Sequence, residues 1–434
     1  MKKLVYFFPI LLTTIAFAQK ENKLITAKNV ERIIKTLSAD DMMGRPAADP
    51  IKMEKATAFI ETEFQKIGLS YLDGLTSFRQ EVVKEKHGKI DLVVKINGEV
   101  VPAENTLLVS DQEQLDVSSD LTIKTIEVDP SAPDARSSFM RRAIVTARDT
   151  TNSLIIVAEE FKESFEEFKG FFRNRFFEKR KYTRVFVLGK YTPHTYSIRA
   201  TQKKDIMKMA NVVGILKGKT KPDEFVVFSG HYDHIGILKP VENDSIANGA
   251  DDDASGTTAV IELARYFKKI KNNNRSIIFV AFTAEEIGGF GSRYFSEQLN
   301  PDNVMAMFNI EMIGKLSKFG KNHAFITGYE RSDFGEILQK NLVGTPFNFK
   351  PDPYPEQNLF YRSDNATLAR LGVPAHTIST DQIDIDKLYH TVNDEFESMD
   401  IENIVATIRA IALSSKTIVS GADTPKRIDK STVR

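Results

Sequence analysis

Residues 276–282 form a run that is continuously apolar after its opening Ser276 and rich in β-branched residues, and Thr283, Ala284, Glu285 and Glu286 come directly after it. A run so short and so apolar reads as a strand buried on both faces, the kind that lies inside a parallel sheet. Residues 212–216, 225–229, 305–310 and 375–379 are also strand-like, each with polar or small residues among the apolar ones. Residues 254–270 carry Val260, Ala264 and Phe267 at helical spacing. Strands alternating with helices predict an α/β fold, a mostly parallel mixed sheet sandwiched by helices. Sheets of this kind bind ligands beyond the carboxyl ends of their strands. The residues just past each apolar run therefore matter more than the run itself.

Those trailing residues are polar in a consistent way. His231 comes after the run at 225–229, Glu285 and Glu286 after 276–282, and Glu311 after 305–310, while His390 arrives in a late loop. Between them lies an acidic triplet, Asp251, Asp252 and Asp253. Three adjacent like charges repel one another unless a cation faces them. A pair of divalent metals is the simplest body that wants two histidines and several carboxylates. Each residue alone has a plain structural explanation. His231 could be a surface histidine, and the glutamate pair could open a helix and complement its dipole. The pair could also divide its labour, one carboxylate binding metal and the other free as a base. Glu311 sits between apolar Ile310 and Met312, where a carboxylate needs a partner. Asp233, two residues beyond His231, could fix the imidazole tautomer.

The N-terminus has a different logic. Met1-Lys2-Lys3 precedes an apolar stretch, and Ala16-Phe17-Ala18 closes it with small residues at the cleavage spacing. This predicts a signal peptide over residues 1–18 and a chain exported to the periplasm or secreted. The stretch is too short to span a bilayer comfortably, and no later one is long enough, so no integral membrane span is expected after cleavage. The chain has no cysteine, which excludes a lipid-anchored cysteine and any disulfide. Its 59 basic and 59 acidic residues leave no net field that would favour nucleic acid. Oligomeric state has no signature in the sequence.

Residues 30–37 and 53–67 carry helical apolar spacing, with Thr26 as a cap for the first and Gly68 ending the second. Asn97-Gly98 marks a hairpin. Residues 99–205 have shorter strands and one aromatic helical stripe, Phe161, Phe165, Phe168 and Phe172. We read that stripe as packing on a small sheet, so this stretch is expected to be an inserted, smaller α+β domain. Residues 19–98 and 206–434 make the main domain.

Residues 230–236, 249–256, 283–288, 309–314 and 389–394 together resemble the family 28 zinc metallopeptidases, in the family's order. This is the group of co-catalytic dizinc exopeptidases that includes leucyl aminopeptidases and glutamate carboxypeptidase II. The resemblance covers roughly residues 25–98 and 206–415, and residues 29–46 look like the family's leading helix and loop. It implies the zinc exopeptidase fold and two Zn2+ ions, other divalent metals being possible. His231 and Glu311 would bind one ion, Glu286 and His390 the other, and Asp252 would bridge them across a cis bond to Asp253. Glu285 would be the general base towards a water held between the metals. Asp233 would support the first histidine, and Asp394 would stand behind the site. Glu311 departs from the family, which has Asp there. The inserted stretch lies where relatives carry a protease-associated or lid domain, although its sequence matches that module poorly. The implied substrates are peptides with a free N-terminus, cleaved by an aminopeptidase. The rivals are a glutamate carboxypeptidase, a glutaminyl cyclase and a non-catalytic receptor-like protein.

Overall fold

The computed structural model describes residues 24–173 and 181–434. The expected signal at 1–18 lies outside the described residues. The chain divides into two units, one of residues up to 82 with 209–434, the other of residues 83–208.

In the first unit the sheet contains the end of β1 (Tyr196–Leu216), then β2 (Lys221–His231), β3 (Arg275–Phe282), β4 (Val304–Ile310), β5 (His323–Ile326), β6 (Asn348–Pro351) and β7 (Ala375–Ser379). Their spatial order is β6-β5-β7-β4-β2-β3-β1. The four middle strands, β7, β4, β2 and β3, run parallel. Antiparallel β1 and β5 flank them. Parallel β3, β2 and β4 bring the ends at Phe282, His231 and Ile310 to one edge.

Alternation along each middle strand explains the apolar runs. Val226, Phe228, Phe279 and Ala281 face one core, while Val227, Ile278, Val280 and Phe282 face a second. The first core is closed by helices Ala27–Leu37, Pro50–Ile67, Gly256–Ile270, Phe334–Asn341 and Ile401–Ser414. The second is closed by Phe290–Glu297 and Asn365–Ala369. Phe228 is the keystone of the first core, with its ring 4.7 Å from Phe308, 5.5 Å from Phe267 and 5.8 Å from Phe279. Thr26 and Gly68 cap the two leading helices as expected, Thr26 Oγ1 accepting from the Asn29 amide and Gly68 adopting a left-handed φ of 79°.

The second unit has its own small sheet, ordered Thr106–Val109, Arg184–Leu188, Ser153–Val157, Thr122–Thr125. The four-phenylalanine stripe packs on that sheet with Phe139 and Ala143 of helix Ala135–Ala147. Asn97-Gly98 makes a two-residue turn that pairs Ile96 with Glu99.

One buried histidine lies within the first unit's sheet. His376, on β7, donates from Nδ1 to the Thr327 carbonyl (2.9 Å) and accepts at Nε2 from the Ser332 hydroxyl (2.7 Å). This pairing requires a neutral ring. Burial pushes its pKa from 6.5 down to about 4. The unfolded chain therefore binds the proton first, and stability contributed by the neutral ring is complete above pH 6.5 and is lost as pH falls towards 4. The urea midpoint of the wild type should fall across that window. The stability difference from His376→Gln should shrink by on the order of 3 kcal/mol. A difference that stays constant with pH would contradict this reading.

Candidate metal centre

The strand ends deliver the side chains. β2 ends in His231, which pairs in register with Phe282 at the end of β3. The chain then turns through Ala284, whose φ of 60° lies in the left-handed region. The Asp233 carboxylate accepts the amides of Glu285 (3.1 Å) and Glu286 (3.3 Å), so the loop after β2 grips the turn after β3. Met312 (φ 49°) and His390 (φ 57°) are also left-handed. Non-glycine residues seldom adopt this backbone, and here three of them lie at or beside candidate ligands.

Asp252 stands in the middle. Its Oδ1 lies 3.2 Å from His231 Nε2, and its Oδ2 lies 3.3 Å from His390 Nε2. Glu286 Oε2 is 3.1 Å from the same His390 nitrogen. Glu286 Oε1 is 2.7 Å from His234 Nδ1. The sequence reading gave His234 no role, although its His-x-x-His spacing with His231 was visible. The support for His231 also differs in detail from expectation. Its Nδ1 is 3.1 Å from the Asp233 carbonyl oxygen, whereas the Asp233 carboxylate lies 3.8 Å away, beyond hydrogen-bond length.

The three acids of the triplet are all buried and face different ways. Asp253 accepts amides from His231 (3.0 Å), Gly256 (3.1 Å) and Met312 (3.1 Å). Asp251 accepts from Gly314 N (2.7 Å) and lies 3.3 Å from Lys315 Nζ. The Asp252–Asp253 peptide is cis. Asp394 accepts the amides of Asp251 and Asp252, at 3.0 Å each. Above them Arg45 is fully buried. It donates to the carbonyls of Tyr232 (2.7 Å), Leu37 and Asn248 (2.6 Å each) and Gly249 (2.8 Å).

Glu311 is held by a polar chain. Ser229 donates to Asn309 (2.7 Å), Asn309 donates to Ser363 (2.6 Å), and the Ser363 side chain favours the charged form of Glu311 against burial. Burial pushes Glu311 and Asp233 up to about 7, with His231 opposing in both cases. Asp364, whose two oxygens are buried without a partner, is pushed up to about 6 by burial. Burial also raises Glu285 well above the usual carboxylate range, again against His231. The nitrogens His231 Nε2 and His390 Nε2 and the oxygen Glu311 Oε2 are buried and make no hydrogen bond. Imidazole nitrogens and carboxylate oxygens left free at short mutual range are the donor set of a zinc-type centre, and the residues fit one.

Asp252, Glu285, Glu286 and Glu311 line an open cleft of about 570 Å³. Residues 211–414 match the profile of Peptidase family M28. This segment belongs to peptidase family M28. A probable zinc metalloprotease of Pyrenophora tritici-repentis is 36% identical over 110 residues, which is 25% of this chain and 25% of that protein. Aminopeptidase YwaD of Bacillus subtilis is 23% identical over 248 residues, 51% of this chain and 47% of that one. The chain thus covers about a quarter of the first of these curated relatives and about half of the second. Among solved structures, BSAP, a zinc aminopeptidase from Bacillus subtilis, has a TM-score of 0.55 at 16% identity, covering 92% of this chain and 97% of that one. That likeness establishes the fold. Among the described residues, no helix is long and apolar enough to cross a membrane.

The M28 segment leans on Arg45, which lies outside it. Arg45→Met would remove a donor from each of four buried carbonyls and a cation from among the acids. Stability should fall by about 3 kcal/mol or more. Bound metal should also leave faster on dialysis. Urea unfolding and metal content per chain read the two effects. An unchanged midpoint with unchanged metal retention would show that Arg45 is dispensable.

Proposed function

We propose that the chain is an exported zinc-dependent exopeptidase, an aminopeptidase that removes residues from the free N-terminus of peptides. The observation that carries this reading is the pair of histidines, His231 and His390, reaching opposite oxygens of one carboxylate, Asp252. The names of YwaD and BSAP are in keeping with it. In this reading His231 and Glu311 would hold one zinc ion, Glu286 and His390 a second, and Asp252 both. His234 orients Glu286. Bound zinc supplies Lewis acidity for the scissile carbonyl and makes water acidic enough to ionise near neutral pH.

The protein's own part comes from the cleft. Glu285 lines it, and its raised pKa suits a group that takes a proton and returns it. Glu285 receives the proton of the attacking water, the water oxygen bonds to the carbonyl carbon, and Glu285 then protonates the departing amine as the C–N bond breaks. The carboxylates favour a cationic α-amine at the same end. Met312, Phe325, Leu359 and Ile383 line the cleft as well and suit an apolar side chain. The proposal includes export through residues 1–18. It also takes residues 99–205 as an inserted domain within a peptidase domain of 19–98 and 206–434.

Glu285→Gln should retain two zinc ions per chain while kcat falls by about 10²–10⁴-fold. Metal analysis beside a panel of free-amine, N-acetylated and N-terminal-Gln peptides, with and without chelator, measures this. Near-wild-type turnover in Glu285→Gln would remove Glu285 as the base. Cleavage of N-acetylated peptides from the carboxyl end would overturn the aminopeptidase reading. Conversion of N-terminal Gln without hydrolysis would favour cyclisation.

A further inference from the structure

Five acidic residues line the cleft, Asp252, Glu285, Glu286, Glu311 and Asp381, and with them a single arginine, Arg362. An arginine among so many carboxylates would be expected to pair with one, since its planar fork matches their geometry. Arg362 does not. Among the described residues it has no ion pair, and its one hydrogen bond, from Nη1 to Gln357 Oε1, is 3.5 Å long, the outer limit of such a contact. Its side chain is exposed. It lines the same cleft as Tyr389, whose ring stacks 3.8 Å from that of His390. Lys315, the nearest contrast, is consumed by Asp386 (2.6 Å) and Asp251 (3.3 Å) and does not line the cleft.

We propose that Arg362 is a specificity-determining residue that binds a carboxylate of the substrate on the leaving-group side of the scissile bond. Four of the acids that line the cleft are assigned to metal ligation or to the proton, and the fifth, Asp381, is buried near Asp251 and Asp386. None of the five forms an ion pair with the guanidinium, which leaves it for an incoming anion. That anion is either the terminal carboxylate of a dipeptide or an acidic side chain next to the cleaved bond. The inference rests on the aminopeptidase reading for its direction along the substrate. The recognition itself needs only the cleft.

Two substrate pairs separate the sources. Leu-Gly against Leu-Gly amide reads the terminal carboxylate, and Leu-Glu amide against Leu-Gln amide reads the side chain. For at least one pair, kcat/KM of the wild-type holoenzyme should favour the acid by about tenfold or more, as one charge-assisted contact predicts. In Arg362→Gln that ratio should collapse to about one, and Arg362→Lys should restore part of it. A purely structural role would lower both members of a pair equally and leave the ratio unchanged, which would overturn the inference. A wild-type ratio of one in both pairs would do the same. Calorimetric titration of Leu-Gly and its amide into metal-loaded Glu285→Gln protein reads the preference without turnover. If free-amine peptides are not cleaved while the acid still binds more tightly through Arg362, the aminopeptidase reading fails and carboxylate recognition stands.

Discussion

A guanidinium without access to water holds the carbonyls around the metal-binding loops in place. Arg45 joins the end of the first helix at Leu37, the loop after β2 at Tyr232, and the approach to the acidic triplet at Asn248 and Gly249. Only arginine offers five donors in a fixed plane, so no other side chain could satisfy these carbonyls together. Burial works against its charge, and Asp252, Asp394, Asp233 and Asp253 favour it. The backbone beside it leaves no latitude. A Cβ on Gly44 would stand 2.6 Å from the Ala247 carbonyl oxygen, and the φ of Gly44 is 65°. The first helix and the metal loops are therefore one mechanical object, although more than 180 residues separate Arg45 from Tyr232.

This connection explains which parts of the molecule were legible in the sequence. The strand over 276–282 was, because burial on both faces leaves every residue from 277 to 282 apolar. The ligand candidates were, because a polar residue straight after such a run has few reasons to be there. The role of Arg45 was not, since no local pattern marks an arginine whose partners are distant carbonyls. Ala284, Met312 and His390 look ordinary in the sequence, and their left-handed backbones arise only from tertiary constraint. Helix Ala135–Ala147 was missed because charged and polar residues interrupt its buried face of Phe139, Ala143 and Ala147. The hairpin joining Gly236–Val241 to Asp244–Ala247 was missed because Glu242-Asn243 makes its turn in place of an Asn-Gly pair.

The acidic triplet shows how a sequence can reveal a need for positive charge without revealing how it is met. Its repulsion is relieved in three separate ways. Asp251 faces Lys315 and a backbone amide, Asp252 faces two imidazoles, and Asp253 faces three amides. Of the three, the middle residue is the one that faces the imidazoles of His231 and His390. Asp251, which had no role in the sequence reading, turns out to tie the triplet to the loop after β4.

A common device runs through the acids behind the site. Asp233 takes the amides of Glu285 and Glu286, Asp394 those of Asp251 and Asp252, and Asp253 those of His231, Gly256 and Met312. Each captures the backbone of residues that carry a candidate ligand or stand beside one. The expectation had been that Asp233 would steer an imidazole, which orients one ring. Capturing amides orients whole peptide units and stabilises the buried carboxylate that does so. It also leaves outward-facing atoms without a hydrogen bond, among them His231 Nε2, His390 Nε2 and Glu311 Oε2. A centre assembled in this way holds its donors in place against their mutual repulsion largely through the backbone, with His234 steadying the Glu286 side chain.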